Sequence, residues 1–148
     1  MSVKYILYNP LSCNGKGTEL AQKLTEIYKD DELKYCNMTQ ISGYGTFFDS
    51  ISPESDIVLC GGDGTLNRFI NDSDGYPYEN PLYYYGTGSG NDFLRDLGKE
   101  QGCEPVRINE YVRNLPIVTV NGKSSRFINA IGYGIDGYCC EKGDELRE

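Results

Sequence analysis

Up to residue 98 the chain alternates between two hydrophobic rhythms. Compact apolar runs stand at residues 4–8, 57–60 and 82–85, with a weaker one at 33–37, each about as long as a buried strand. Between them apolar positions recur at helical spacing. Leu20, Leu24, Ile27 and Tyr28 follow Thr18, a candidate N-cap, and Tyr44, Phe47, Phe48 and Ile51 stop before Pro53. Leu66, Phe69 and Ile70 form a third stripe, and Phe93, Leu94 and Leu97 a fourth that ends at Gly98. This strand–helix alternation predicts an α/β fold with a doubly wound, mostly parallel sheet. From Val106 the rhythm changes. Residues 116–121 alternate and are β-branched, Asn121-Gly122 is a strong hairpin turn, and residues 125–131 read as the returning strand. The chain thus divides into an α/β lobe, residues 1–105, and a β-meander with a charged tail, residues 106–148.

Ligands of open parallel sheets bind outside the carboxyl ends of the strands. Three polar, glycine-bearing loops follow strands here, at residues 9–17, 61–65 and 86–90, so all three are expected on one sheet edge. The middle loop is the most distinctive. Gly61-Gly62-Asp63-Gly64-Thr65-Leu66-Asn67 joins a strand to a helix with almost no bulk on the backbone. Main-chain N–H groups at such a turn suit a phosphate, because a helix N-terminus carries unpaired donors and the positive end of the dipole. Thr65 and Ser89 add hydroxyls that can bond a phosphate or cap a helix. Asp63 does not fit a bare phosphate, since a proton or cation must stand between two anions. Holding Mg²⁺, accepting a ribose hydroxyl, moving a proton, or only capping the following helix are all open to it. Asp92, after Asn91, suits the first turn of the next helix.

Composition removes several alternatives. At 148 residues the chain is one ordinary domain, and its net charge of −8 argues against nucleic-acid binding and against a polybasic lipid patch. With no histidine, Ser-His-Asp and Cys-His triads and His-based zinc sites are excluded, leaving acid–base work to carboxylates, Lys, Tyr or Cys. The six cysteines have no Cys-x-x-Cys spacing and read as reduced thiols. No stretch approaches the roughly 20 apolar residues of a membrane span, and no signal-peptide pattern opens the chain. A cytoplasmic protein is expected.

Two motifs lack their context. Asn14-Gly15-Lys16-Gly17-Thr18 would need glycine at Pro10 and Ser or Thr at Gly17 to be a P-loop. Gly132-x-Gly134-x-x-Gly137 follows a strand but leads into a polar tail, with no apolar helix after it. The Tyr83-Tyr84-Tyr85 run reads as strand packing rather than a stacking platform for bases.

Three segments, in order, carry a family resemblance. Gly61 to Asn67 resembles the glycine-rich signature of the diacylglycerol kinase-like lipid kinases, shared with sphingosine and NAD kinases. Asn9-Pro10-Leu11-Ser12 resembles that family's Asn-Pro-x-Ser-Gly loop, and Gly88-Ser89-Gly90-Asn91-Asp92-Phe93-Leu94-Arg95 its Gly-Thr-Gly-Asn-Asp-Phe-Ala-Arg segment. The last two favour the lipid kinases over an NAD kinase-like enzyme. The resemblance implies the ATP-binding lobe of a kinase that moves the γ-phosphate of ATP to a lipid hydroxyl such as that of diacylglycerol, with Mg²⁺. It implies nucleotide contacts from Asn9, Pro10, Ser12, Thr39, Gly61, Gly62, Asp63, Gly64, Thr65, Asn67, Gly88, Ser89, Gly90, Asn91 and Asp92, with Asp63 the catalytic and metal-binding carboxylate. It places a general base in a β-rich second lobe beginning near residue 106, and Asp136 at the lobe junction. These 148 residues are accordingly expected to be inactive by themselves, and the membrane to be met only transiently by the full-length protein. A nucleotide- or protein-binding module without kinase chemistry is the alternative. Cys13 stands where the family loop has glycine, and Arg68 where its helix is usually acidic.

Overall fold

The computed structural model describes residues 2–131. Gly132, Gly134, Asp136, Gly137, Cys139, Cys140 and the charged tail lie outside the described residues. Four strands run parallel: β1 (Val3–Tyr8), β2 (Glu32–Asn37), β3 (Asp56–Gly61) and β4 (Leu82–Gly86). Their order is β2-β1-β3-β4, and the short β5 (Val106–Arg107) closes the far edge antiparallel to β4. The fold is the expected α/β type, with β5 extending the main sheet past residue 105.

Central β3 explains why its apolar run is unbroken. Ile57 and Leu59 face one side of the sheet and Val58 and Cys60 the other, all fully or almost fully buried. On one face lie α2 (Gly17–Gln22) and α3 (Leu24–Ile27), which follow a tight turn, α1 (Ser12–Gly15). On the other lie α4 (Tyr44–Asp49), α5 (Asp63–Asp72) and α6 (Asp92–Asp96). A single turn, α7 (Asn109–Val112), leads to a separate hairpin of β6 (Ile117–Val120) and β7 (Lys123–Arg126). Asn121 and Gly122 are both left-handed there, with φ of 50° and 77°, and pair Val120 with Lys123. That two-residue turn starts the return strand at Lys123, earlier than the expected residue 125.

The α2–α3 face is also displaced from expectation. The residues against the sheet are Gly17, Ala21 and Leu24, whereas Ile27 is 38 % exposed. Small size decides this: a Cβ at Gly17 would lie 1.9 Å from the Asn9 carbonyl oxygen, so the helix starts flush against the loop after β1. Thr18 is therefore inside the helix, and no side chain caps it.

At the opposite end of the sheet, Lys4 is buried between two aspartates. Its ammonium pairs with Asp56, lies 3.5 Å from Asp31, and sits 4.7 Å above the Tyr28 ring. Burial pulls its pKa down, but the bond and charge of Asp56, with Asp31 behind it, outweigh this and leave it above 10.5. A base held protonated in the fold stabilises fully below its unfolded pKa, and that stability drains away as pH rises through the folded value. We expect urea melts of the wild type to weaken steeply above pH 10.5, and Lys4→Met to be less stable at neutral pH but to lack that alkaline loss. A wild-type curve parallel to that of Lys4→Met would contradict the assignment.

Candidate functional site

The parallel strands end at one edge, and their loops meet there. A cleft of about 1200 Å³ is lined by residues 11–16 after β1, Gly62 to Thr65 after β3, and Thr87 to Gly90 after β4, with Leu20 and Gln101 at its borders. The expected co-location of the three loops holds.

Glycine is needed where two of these loops touch. A Cβ on Gly88 would stand 2.7 Å from the Cα of Gly62, so the backbones lie in direct contact. At Gly61 a Cβ would fall 2.5 Å from the Thr65 side chain. The Gly61 carbonyl accepts hydrogen bonds from the Thr87 N–H at 2.9 Å and from the buried Tyr84 hydroxyl at 3.1 Å, which locks the end of β3 to β4. Gly62 is extended and its carbonyl accepts from the Leu66 N–H, so α5 begins at Asp63. The first-turn N–H groups of α5 have no acceptor within the helix and open on the cleft. Lys16, on the facing loop, adds a positive charge at the rim.

Asp63 does something the sequence did not indicate. Its carboxylate crosses the cleft floor and accepts the N–H groups of Asp92 (2.9 Å) and Phe93 (3.1 Å). It caps α6, not its own helix, and so ties the second loop to the third. The Asp92 side chain turns away to pair with Arg95 at 2.9 Å. Removing the carboxylate strands two N–H donors that it satisfies with charge. Asp63→Ala should therefore cost about 1–3 kcal/mol in urea unfolding, and Asp63→Asn less. No loss in either would show the tie to be idle.

The other residues separate into two groups. Ser12, Gly62, Asp63, Gly64, Thr65, Gly88, Ser89 and Gly90 line the cleft. Asn9, Pro10, Thr39, Gly61, Asn67, Asn91 and Asp92 do not. Asn9 shapes its loop, its Oδ1 accepting the Leu11 N–H at 3.0 Å and its carbonyl accepting the Ser12 hydroxyl at 2.7 Å. The Thr39 hydroxyl donates to Asn37 at 2.8 Å. Asn67 lies along α5, where its carbonyl accepts from the Asn71 amide. Asn91 is buried and left-handed (φ 49°), its amide donating to the Gly88 carbonyl.

Cys13 and Asn14 are left-handed too, at φ 54° and 58°. That conformation suits glycine, which accounts for the cost of a side chain at Cys13. The Cys13 thiol compensates by donating to the Thr87 carbonyl at 3.3 Å. Nearby, burial pushes the Cys60 thiol up to about 12, so it stays protonated. Gln101 was not anticipated at the cleft, which it reaches only through the loop after α6, a segment that no local pattern announces.

For Mg²⁺ the fit is partial. The described residues contain no group of three or more carboxylate, thiol or imidazole ligands, and Asp63 is the carboxylate lining the cleft. Mg²⁺ commonly takes one or two carboxylates and completes its shell with water and substrate phosphates, so this donor set suits an ion that arrives on a polyphosphate. Among the described residues no helix is long and apolar enough to cross a membrane.

Comparison with known proteins agrees with the architecture. The family model described as "Diacylglycerol kinase catalytic domain" matches residues 4–120, well over half of the chain. No curated protein matches it.

Proposed function

The chain belongs to the family of diacylglycerol kinase catalytic domains, and from that premise we propose that the cleft seats the triphosphate of ATP for transfer of the γ-phosphate to a lipid hydroxyl. Membership implies kinase-type chemistry with a nucleotide and a lipid substrate. The observation that carries the reading is the direct backbone contact of Gly62 and Gly88, which leaves main-chain N–H groups bare at the N-terminus of α5. Phosphoryl transfer depends mostly on positioning and charge neutralisation. In this reading the amides of Gly62 to Thr65 hold phosphate oxygens, with help from the hydroxyls of Ser12, Thr65 and Ser89 and the Lys16 ammonium. Mg²⁺, when bound, neutralises phosphate charge, and Asp63 offers it the lone pairs that the α6 N–H groups leave free. Asn9, Asn91 and Asp92 serve by shaping the loops.

The lipid is a hydroxyl-bearing one such as diacylglycerol, met at a membrane surface by a cytoplasmic protein. In this reading the cleft's Asp63 is committed to α6 and to Mg²⁺, and no second carboxylate among the described residues lines the cleft to act as general base. We therefore expect these 148 residues to bind ATP–Mg²⁺ and to phosphorylate no lipid; substantial turnover would refute this. Calorimetric titration with ATP–Mg²⁺ tests the seat: affinity should be lost in Gly62→Val and reduced in Asp63→Asn. Equal affinity in all three proteins would separate the turn from the nucleotide.

A further inference from the structure

A second cavity, about 290 Å³, lies at the far end of α5, against the turn of residues 73–78, α7 and β7. It is built differently from the cleft. Tyr78 is held by a stack on Phe48 at 4.5 Å and an edge contact with Phe69 at 6.2 Å, and Tyr76 lies against Gly45, where a Cβ would fall 2.6 Å from its ring. Tyr78 is therefore held in place on the wall. Ser73 is only 5 % exposed and lines the cavity. Two arginines reach the same space. The Arg126 guanidinium donates to Asp74 at 2.8 Å and to the Leu115 carbonyl at 3.2 Å, so those two charges cancel. Arg113 has no carboxylate partner among the described residues. In a chain of net charge −8, the cavity brings together the exposed Arg113 guanidinium and the side chains of Ser73 and Tyr78, each with a hydroxyl.

We propose that this cavity is a binding site for a phosphate monoester. Its anionic head would accept hydrogen bonds from the Arg113 guanidinium and from the Tyr78 and Ser73 hydroxyls, donors that match phosphate oxygens. The volume of about 290 Å³ admits a phosphate and a short organic stub. The site is separate from the cleft. The ten residues of α5 hold the two apart by about 15 Å, and the inference does not rest on the nucleotide reading.

The test is a titration of inorganic phosphate against chloride at matched ionic strength, followed by NMR of the backbone amides and arginine Nε–H groups. Saturable shifts at Ser73, Tyr78 and Arg113 are expected in the wild type and equally in Gly62→Val, whose cleft is blocked. Arg113→Gln should weaken binding by about tenfold or more, and Tyr78→Phe, which keeps the ring and its stack, by a smaller factor. Absence of saturable shifts there, or an affinity unchanged in Arg113→Gln, would overturn the proposal. Sedimentation with vesicles that carry or lack a phosphomonoester lipid then separates the sources. Arg113-dependent sedimentation with the former assigns a lipid headgroup; saturable phosphate shifts without sedimentation assign a soluble ester.

Discussion

Gly88→Val is expected to reduce ATP binding at least a hundredfold, about 3 kcal/mol. The new Cβ would begin 2.7 Å from the Cα of Gly62 and 3.3 Å from Asn91 Oδ1. Neither neighbour is the free end of a long side chain, so relief requires the loops after β3 and β4 to separate. Separation moves the amides of Gly62 to Thr65 away from Ser89 and breaks the geometry by which Asp63 holds α6. Overpacking of this kind costs about 1–3 kcal/mol of stability, which a domain of ordinary stability survives. Folding and binding should therefore part company: a cooperative melt retained, calorimetric heat lost. Gly43→Ala is the control. Gly43 is extended, with nothing near its Cβ position, and lies outside the cleft, so this variant should bind like the wild type. A Gly88→Val protein with wild-type affinity would show that the contact of the two loops is irrelevant to the ligand.

Phe69→Ala should be the most damaging single core change, at about 3–5 kcal/mol. Phe69 is fully buried where α5 meets α4 and the turn carrying Tyr78. Its ring makes edge contacts with Tyr44 at 5.3 Å and Tyr78 at 6.2 Å, and the aromatic neighbours are too rigid to collapse into the space it would leave. Such a loss is a large part of the 5–15 kcal/mol typical of a domain. Urea unfolding should show a lower midpoint with the slope retained. A loss below about 1 kcal/mol would mean that the cluster repacks, contrary to the close packing of protein interiors.

Several features were legible in sequence because one local cause decides them. Buried on both faces, β3 must be apolar throughout, and 57–60 was. A two-residue turn with both residues left-handed demands Asn-Gly, and Asn121-Gly122 marked the hairpin. The three loops could be placed together because parallel strands share a direction. What escaped was decided by partners distant in the chain. The face of α2 follows from how closely Gly17 approaches Asn9, a fit that residue spacing does not express. Two residues of β5 are too few for a periodic signal. Asp63 could be seen to be special, yet its partner lies thirty positions away at Phe93, and helix capping read locally pointed to the wrong helix. Thr39 and Asn67 rest on the resemblance alone: the Thr39 hydroxyl serves a local turn, and Asn67 lies along α5 outside the cleft lining.

The claim beneath all of this is that bare main-chain amides, brought together by glycines on two loops, form the phosphate seat. Its most direct test is an NMR titration of the wild-type chain with ATP–Mg²⁺, following each backbone amide. The largest saturable shifts are expected on Gly62, Gly64, Thr65 and Ser89, with Phe93 following as α6 responds through Asp63. Binding that leaves those amides unmoved and shifts residues elsewhere would contradict it.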